Sequence, residues 1–214
     1  MKKALVTGAS RGIGRAIAEE LGRDHHVYVG ASRDASDVVS ALPSAEPFEV
    51  DLTDSAAVAE AASNIEELDV LVLAAGVMTP ARLTDLSEAD LRRTMEVNVI
   101  APMLLTKALL PALRRSNGLI LTINSGAGFF GIDGNSAYCA SKFGLRGFTD
   151  SLRLEEAGAV RVTSLHPGRT DTDMLHGDTN GPKMTPQSVA KATRLAVDAG
   201  PDAVVEFLRI TPTA

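Results

Sequence analysis

Cysteine is almost missing from this chain: Cys139 stands alone among 214 residues. An internal disulfide is therefore excluded, and no cysteine set exists to hold a metal. Positive charge is scarce too, with 21 Lys and Arg against 27 Asp and Glu, a formal net charge of −6. A nucleic-acid partner calls for a basic face, so that class is set aside. No apolar run approaches the ~20 residues that a membrane-crossing helix requires. Met1-Lys2-Lys3 carries the charge of an export signal, but the apolar stretch behind it breaks at Gly8, so a cytoplasmic location is expected. Linkers, internal repeats and low-complexity tracts are absent as well, and 45% hydrophobic residues suffice for one sizeable core.

What is present is a regular alternation. Strand-like runs near Leu5, Val29, Glu49, Leu71, Leu121, Thr163 and Val205 are separated by helical patterns. Such alternation implies parallel strands joined by right-handed crossovers. The expected fold is a doubly wound α/β domain of Rossmann type, with about seven parallel strands and helices on both faces, spanning residues 1–214. Ser87-Glu88-Ala89-Asp90 predicts a helix start, and Thr185-Pro186 sets a cap before a proline at the first helical position.

The most informative local pattern is Tyr138-Cys139-Ala140-Ser141-Lys142. Residues at i and i+4 share a helical face, so phenol and ammonium approach one point. A free tyrosine titrates near pH ~10, and a nearby cation favours its ionised form. Cys139, beside it, reads as a small packed thiol or an oxidation-sensitive site.

Three further features accompany the pair. Lys3-Ala4-Leu5-Val6 reads as a buried strand running into Thr7-Gly8-Ala9-Ser10-Arg11-Gly12-Ile13-Gly14, after which Ala16, Ile17, Ala18 and Leu21 recur at helical spacing until Gly22. A strand, glycine turn and helix in this order make a seat for a pyrophosphate, whose charge meets free N–H groups and the helix dipole. Ser125 closes the apolar run Leu119-Ile120-Leu121-Thr122-Ile123, at the strand end where doubly wound sheets bind ligands. Asn98 is a polar residue in an apolar helical segment; it either caps a helix kink ahead of Pro102 or anchors a buried water.

With these pieces in order, the chain resembles the short-chain dehydrogenase/reductase family in its single-domain form. The resemblance covers nearly the whole chain and adds Asp51-Leu52 after the third strand, Ala75-Gly76 after the fourth, and Pro167-Gly168 followed by Thr172. It implies that Asn98, Ser125, Tyr138 and Lys142 form a catalytic tetrad. Tyr138 would be the general acid in carbonyl reduction and the base in alcohol oxidation, and Ser125 would hold the substrate oxygen. Lys142 would lower the tyrosine pKa and bond the nicotinamide ribose, and Asn98 would hold a water in the proton relay. This makes chemical sense, because hydride transfer to a ketone develops alkoxide charge that needs a donor close by.

The same likeness assigns cofactor contacts to Gly8, Ser10, Arg11, Gly12, Ile13 and Gly14 of the turn, to Asp51 and Leu52 near the adenine, and to Ala75 and Gly76. Pro167, Gly168, Thr170 and Thr172 would lie along the nicotinamide carboxamide and phosphates, with Tyr138 and Lys142 at the ribose. Asp51 reads equally well as part of a loop capping the next helix. After the second strand, Ala31-Ser32-Arg33 stands where an Asp or Glu would bond a free ribose 2′-hydroxyl. No carboxylate there repels a 2′-phosphate, and Arg33 with Arg11 offers forked donors for one, so NADP(H) is expected over NAD(H).

Two departures from the family pattern stand out. Leu73-Ala74-Ala75-Gly76 replaces Asn-Asn-Ala-Gly, so packing is expected to substitute for the hydrogen bonds of the missing asparagines. The run Val204-Val205-Glu206-Phe207-Leu208-Arg209-Ile210 reads as a last strand without the glycine-rich tail many relatives use at subunit contacts, which favours a homodimer, with a tetramer as the other assembly. His166 has no sequence partner for catalysis, and Arg169 either attracts an anionic substrate or, as loop arginines commonly do, stays solvated. Residues 173–184, with Gly177, Gly181 and Pro182, read as a mobile loop over the substrate. The expected activity is NADP(H)-dependent oxidoreduction of a small carbonyl compound or secondary alcohol, with no metal. The alternative is an idle dinucleotide-binding redox sensor, against which an intact tetrad weighs.

Overall fold

A computed structural model describes residues 1–175, 177–200 and 202–213. Among them, β1 (Lys2–Val6), β2 (His25–Ala31), β3 (Ala45–Glu49), β4 (Val70–Leu73), β5 (Leu119–Ile123), β6 (Arg161–Pro167) and β7 (Phe207–Ile210) form one sheet in the order β3-β2-β1-β4-β5-β6-β7. Every pairing is parallel, with Val6 opposite both Val29 and Val72 at the sheet centre. The expected doubly wound fold is therefore present. The last strand, from Phe207, starts later than the sequence suggests, although the Val205 and Glu206 carbonyls before it already accept from the Thr163 hydroxyl and the Ser164 amide of β6.

Side chains alternate across a strand, and this alternation divides the core in two. Ala4, Val6, Val70, Val72, Leu119 and Leu121 face α1 (Gly12–Leu21) and α7 (Pro186–Val197), where they meet Ile17, Leu21, Val189 and Ala196. Leu5, Leu71, Leu73, Ile120 and Val162 face the other way. They pack against α3 (Ser55–Ser63), α5 (Ala101–Arg115) and α6 (Ser136–Glu155) through Val58, Leu105, Leu109, Leu113 and Leu152. Each fully buried leucine contributes about 1.5–3 kcal/mol relative to exposure. The short α2 (Ser36–Ala41) adds Val38 to the first core.

Three α-helix starts carry a side-chain cap. Ser87 accepts from the Asp90 amide at the head of α4 (Glu88–Met95), Thr185 from the Ser188 amide at α7, and Asp54 from the Ala56 and Ala57 amides at α3. The start of α1 differs. Arg11 is extended and makes no side-chain cap, and the first turn holds no acid.

One π turn, Glu96–Ile100, fuses α4 and α5 into a continuous run, Glu88–Arg115. By length and composition this fused run passes the test for a membrane-crossing helix, as a buried core helix also can. No unbroken apolar stretch in the sequence announces it, because the fusion is a matter of backbone geometry. Half of its most apolar 18-residue window is buried, and Leu105, Leu109 and Leu113 belong to the second core.

Candidate functional site

The strand order reverses between β1 and β4, and in sheets of this kind a crevice opens there at the carboxyl ends. The glycine turn lies at its edge. Gly8 and Gly12 have φ of +64° and +59°, a region that side-chain-bearing residues rarely enter. A Cβ on Gly8 would lie 2.8 Å from the Ala75 Cα, and one on Gly14 would lie 2.3 Å from the Gly8 carbonyl oxygen. The turn therefore packs backbone to backbone against the end of β4.

Thr7 secures that contact. Its Oγ1 accepts from the amides of Ala74 (3.0 Å) and Ala75 (3.1 Å) and donates to the Val72 carbonyl at 3.3 Å. Packing was expected to replace the missing asparagines, but a buried hydroxyl replaces them through hydrogen bonds. The sequence reading passed over Thr7; its signal was a hydroxyl at the end of an otherwise apolar strand.

Asn98 sits in the π turn ahead of Pro102. Its amide clamps a neighbouring backbone instead of capping the helix. Oδ1 accepts from the Val77 amide at 2.8 Å, while Nδ2 donates to the Val77 carbonyl (2.9 Å) and to the Ser141 hydroxyl (3.0 Å). Ser141 in turn donates to the Tyr138 carbonyl at 2.7 Å. Asn98 thus ties the loop after β4 to the helix bearing Tyr138, through a serine that sequence reasoning did not single out.

Tyr138 and Lys142 are both buried on α6. Lys142 donates from Nζ to the Ile123 carbonyl at 3.0 Å and lies 5.7 Å from the centre of the Tyr138 ring. Loss of solvation lowers its pKa from 10.5 to about 8. Burial raises the Tyr138 phenol above its ordinary value, while the Ser125 hydroxyl pulls it back down. Lysine was expected to make this phenol acidic; here desolvation is the larger influence, and the moderating group is Ser125. Ser125 Oγ accepts from the Ala127 amide (3.1 Å), and its own amide donates to Asn124 Oδ1 (2.9 Å). Asn124, a second residue the sequence reading missed, also donates to the Lys142 carbonyl at 3.2 Å. A Cβ on Gly76 would stand 3.4 Å from Asn98 Oδ1 and 3.9 Å from Lys142 Nζ, so this glycine keeps the approach to both open.

The remaining predicted contacts spread along the same edge. A cavity of about 260 Å³ opens at the start of α1, lined by Arg11, Gly12, Arg15, Asp171, Thr172 and Asp173, among others. That cavity also carries the carboxylates of Glu19, Asp171 and Asp173, so the phosphate seat is the glycine turn beside it, where the first-turn amides of α1 are uncapped. Thr172 covers the turn, 3.4 Å from where a Gly12 Cβ would be, and Ile13 packs on the first core beside the half-buried Ser10. Arg11 pairs with Asp173 at 3.1 Å with both side chains largely exposed, whereas Arg33 is exposed without an ion pair among the described residues. Asp34 turns its carboxylate to the Ser36 amide, but Glu49 of β3 brings another to the Ala35 amide at 3.2 Å. The β2 end is therefore not free of carboxylates, as the sequence had suggested; the acid arrives from the neighbouring strand.

Asp51 accepts from both the amide and the hydroxyl of Thr53, which keeps its carboxyl below the usual range, and Leu52 packs on the second core. Pro167 ends β6 opposite Ile210, the Gly168 amide donates to the Ile210 carbonyl, and the buried Thr170 hydroxyl donates to the Gly168 carbonyl. His166 is a buried strand residue, as expected. Its Nδ1 meets the Ser125 carbonyl at 3.0 Å and its Nε2 the Ser164 hydroxyl at 2.7 Å, while burial lowers its pKa to about 4. Arg169 is not the solvated arginine that one reading of the sequence expects. Nη1 donates to Asp178 at 2.7 Å, and Nε and Nη2 are buried.

A sequence description of the family "short chain dehydrogenase" matches residues 2–182. A sepiapterin reductase of Chlorobaculum tepidum is 35% identical, with 98% of this chain and 96% of that protein aligned. A 3-oxoacyl-[acyl-carrier-protein] reductase of Salmonella typhimurium is also 35% identical, over 81% of this chain and 75% of its own length. Among solved structures, an alcohol dehydrogenase of the archaeon Thermococcus sibiricus complexed with 5-hydroxy-NADP superposes with a TM-score of 0.89 at 29% identity, covering 98% and 96% of the two chains. A metagenomic short-chain oxidoreductase in complex with NADP gives 0.86 at 30% identity, covering 100% and 97%. The turn, the tyrosine–lysine helix and the crevice between them thus stand in a recognised setting: the chain belongs to the short-chain dehydrogenase/reductase family of oxidoreductases.

Proposed function

We propose that this protein transfers a hydride between NADP(H) and a small carbonyl compound or secondary alcohol, with Tyr138 as the proton donor and acceptor. The observation that carries this reading is that Tyr138 and Lys142 are buried together on α6, with the Lys142 ammonium 5.7 Å from the centre of the phenol ring. The dinucleotide, when bound, supplies the hydride.

The chain's own residues supply the rest. Ser125 Oγ accepts from the Ala127 amide and so keeps its hydrogen free for a substrate oxygen. Tyr138 gives its proton to that same oxygen as negative charge develops there, and recovers one from the alcohol in the reverse direction. Lys142 has spent one of its ammonium donors on Ile123, leaving others for a ribose hydroxyl. Asn98 holds the Tyr138 turn and the Val77 backbone in register, the setting in which a relay water would lie. Gly8, Gly12 and Gly14 let backbone amides at the head of α1 meet the pyrophosphate, with Thr172 above them.

Preference for NADP(H) rests on Arg33, exposed at the β2 end, and on Arg11, both suited to a 2′-phosphate. The NADP complexes among the structural relatives support the same choice. Exposed Ile100, Met103 and Phe143 on the fused helix and α6 support pairing of two copies as a homodimer. The activity is tested by mixing the protein with NADPH and a panel of ketones and aldehydes and following loss of NADPH absorbance. Turnover of at least one carbonyl is expected; NADPH binding without any turnover would overturn the reading.

A further inference from the structure

Arg169 follows Pro167-Gly168 directly, at the carboxyl end of β6. Three residues before it, His166 bonds the Ser125 carbonyl; three residues after it, Thr172 covers Gly12. The arginine therefore belongs to the short segment that runs between the substrate side of the crevice and its phosphate side.

Its guanidinium is engaged on one edge only. Nη1 donates to Asp178 Oδ2 at 2.7 Å, and the other oxygen of that carboxylate accepts from the Asn180 amide at 2.9 Å. The Thr170–Met184 bridge joins the ends of the intervening loop, so Asp178 is presented from a loop closed at its base. Asp178 consequently fixes the plane of the guanidinium. Nε and Nη2 are both buried and have no hydrogen-bond partner among the described residues.

These two nitrogens are not an arbitrary pair. In a guanidinium, Nε–H and one Nη2–H point the same way, in parallel, at the spacing of two oxygens of a carboxylate or phosphate. Leaving two donors of one cation buried and unpaired is costly, and a fold that orients the group through its opposite edge keeps this one for a planar oxyanion. A lysine could not do so, since its single ammonium has no such edge.

We propose that the Nε/Nη2 edge of Arg169 receives an oxyanion of the substrate, so that the preferred carbonyl compounds carry a carboxylate. This rests on the carbonyl-reductase reading above. A phosphate of the dinucleotide shares the same recognition chemistry, and the test separates the two sources.

The test uses 2-, 3- and 4-oxo acids, each beside its methyl ester, with wild-type protein, Arg169→Gln and Arg169→Lys. Turnover of the esters and NADPH affinity report on folding and on the rest of the site. The expected result is a rise of about tenfold to a hundredfold in KM for at least one oxo acid in Arg169→Gln, the scale set by losing charged hydrogen bonds. Arg169→Lys should fall between, with ester KM and NADPH affinity within about twofold of wild type. Equal losses on acid and ester, or no loss on either, would overturn the proposal. Weakened NADPH binding with an unchanged acid-to-ester ratio would assign the edge to the dinucleotide and overturn it too. If no carbonyl is reduced, the reductase reading fails separately, and calorimetric binding of the same oxo acids to NADPH-saturated protein still decides. Binding lost in Arg169→Gln supports the oxyanion seat, and binding unchanged or absent in wild type removes it.

Discussion

Lys142 Nζ lies 5.7 Å from the centre of the Tyr138 ring and is anchored to the Ile123 carbonyl of β5 at 3.0 Å. The cation is therefore positioned by the sheet, and its helix only brings it within reach of the phenol. Both groups are desolvated: burial raises the phenol's pKa and lowers the ammonium's to about 8. At neutral pH the phenol is uncharged whether folded or unfolded, so its shift costs nothing there; the buried ammonium is the group that opposes folding.

Lys142→Met should therefore stabilise the fold while removing activity. A lysine with a folded pKa of about 8 and an unfolded value of 10.5 opposes folding fully below pH 8, and the opposition fades as pH rises to 10.5. The variant should gain about 1–3 kcal/mol at pH 7, reduced by loss of the Ile123 hydrogen bond. Urea midpoints of both proteins at pH 7 and pH 10.5 check this, with the difference shrinking at the higher pH.

Thr7→Val should cost about 1–3 kcal/mol, since it strands the Ala74 and Ala75 amides that share one hydroxyl. Thr7→Ser keeps that hydroxyl and should recover most of the loss. Chemical denaturation of the three proteins, with NADPH affinity measured alongside, separates the hydroxyl's contribution from that of the methyl.

Arg33→Asp should reverse the preference from NADP(H) toward NAD(H), changing the ratio of their kcat/KM values by about tenfold or more, the scale of one charged hydrogen bond. Glu49 already presents a carboxylate near Ala35, so the substitution completes an acidic rim there. An unchanged ratio would mean that the 2′-phosphate is recognised elsewhere.

The features legible in the sequence were those with short spacing. The tyrosine–lysine pair, the glycine turn and the caps at Ser87 and Thr185 follow from local periodicity, and the regular alternation of strands and helices was enough to imply the parallel sheet. What escaped depends on residues far apart in the chain. Thr7 meets Ala74 and Asn98 meets Ser141 only after the crossovers have formed. The direction of the Tyr138 shift was misread for a related reason: adjacency to a lysine is visible in sequence, whereas depth of burial is not. The fused helix Glu88–Arg115 was hidden likewise, since a π turn leaves no separate mark in composition.

The central claim is that the Tyr138 phenol moves the proton, and Tyr138→Phe tests it most directly, with single-turnover rates and NADPH affinity measured on the same preparation. We predict a fall of about 10²–10⁴-fold in the rate with NADPH affinity within about twofold of wild type. A variant that still turned over at a tenth of the wild-type rate or more would contradict the account.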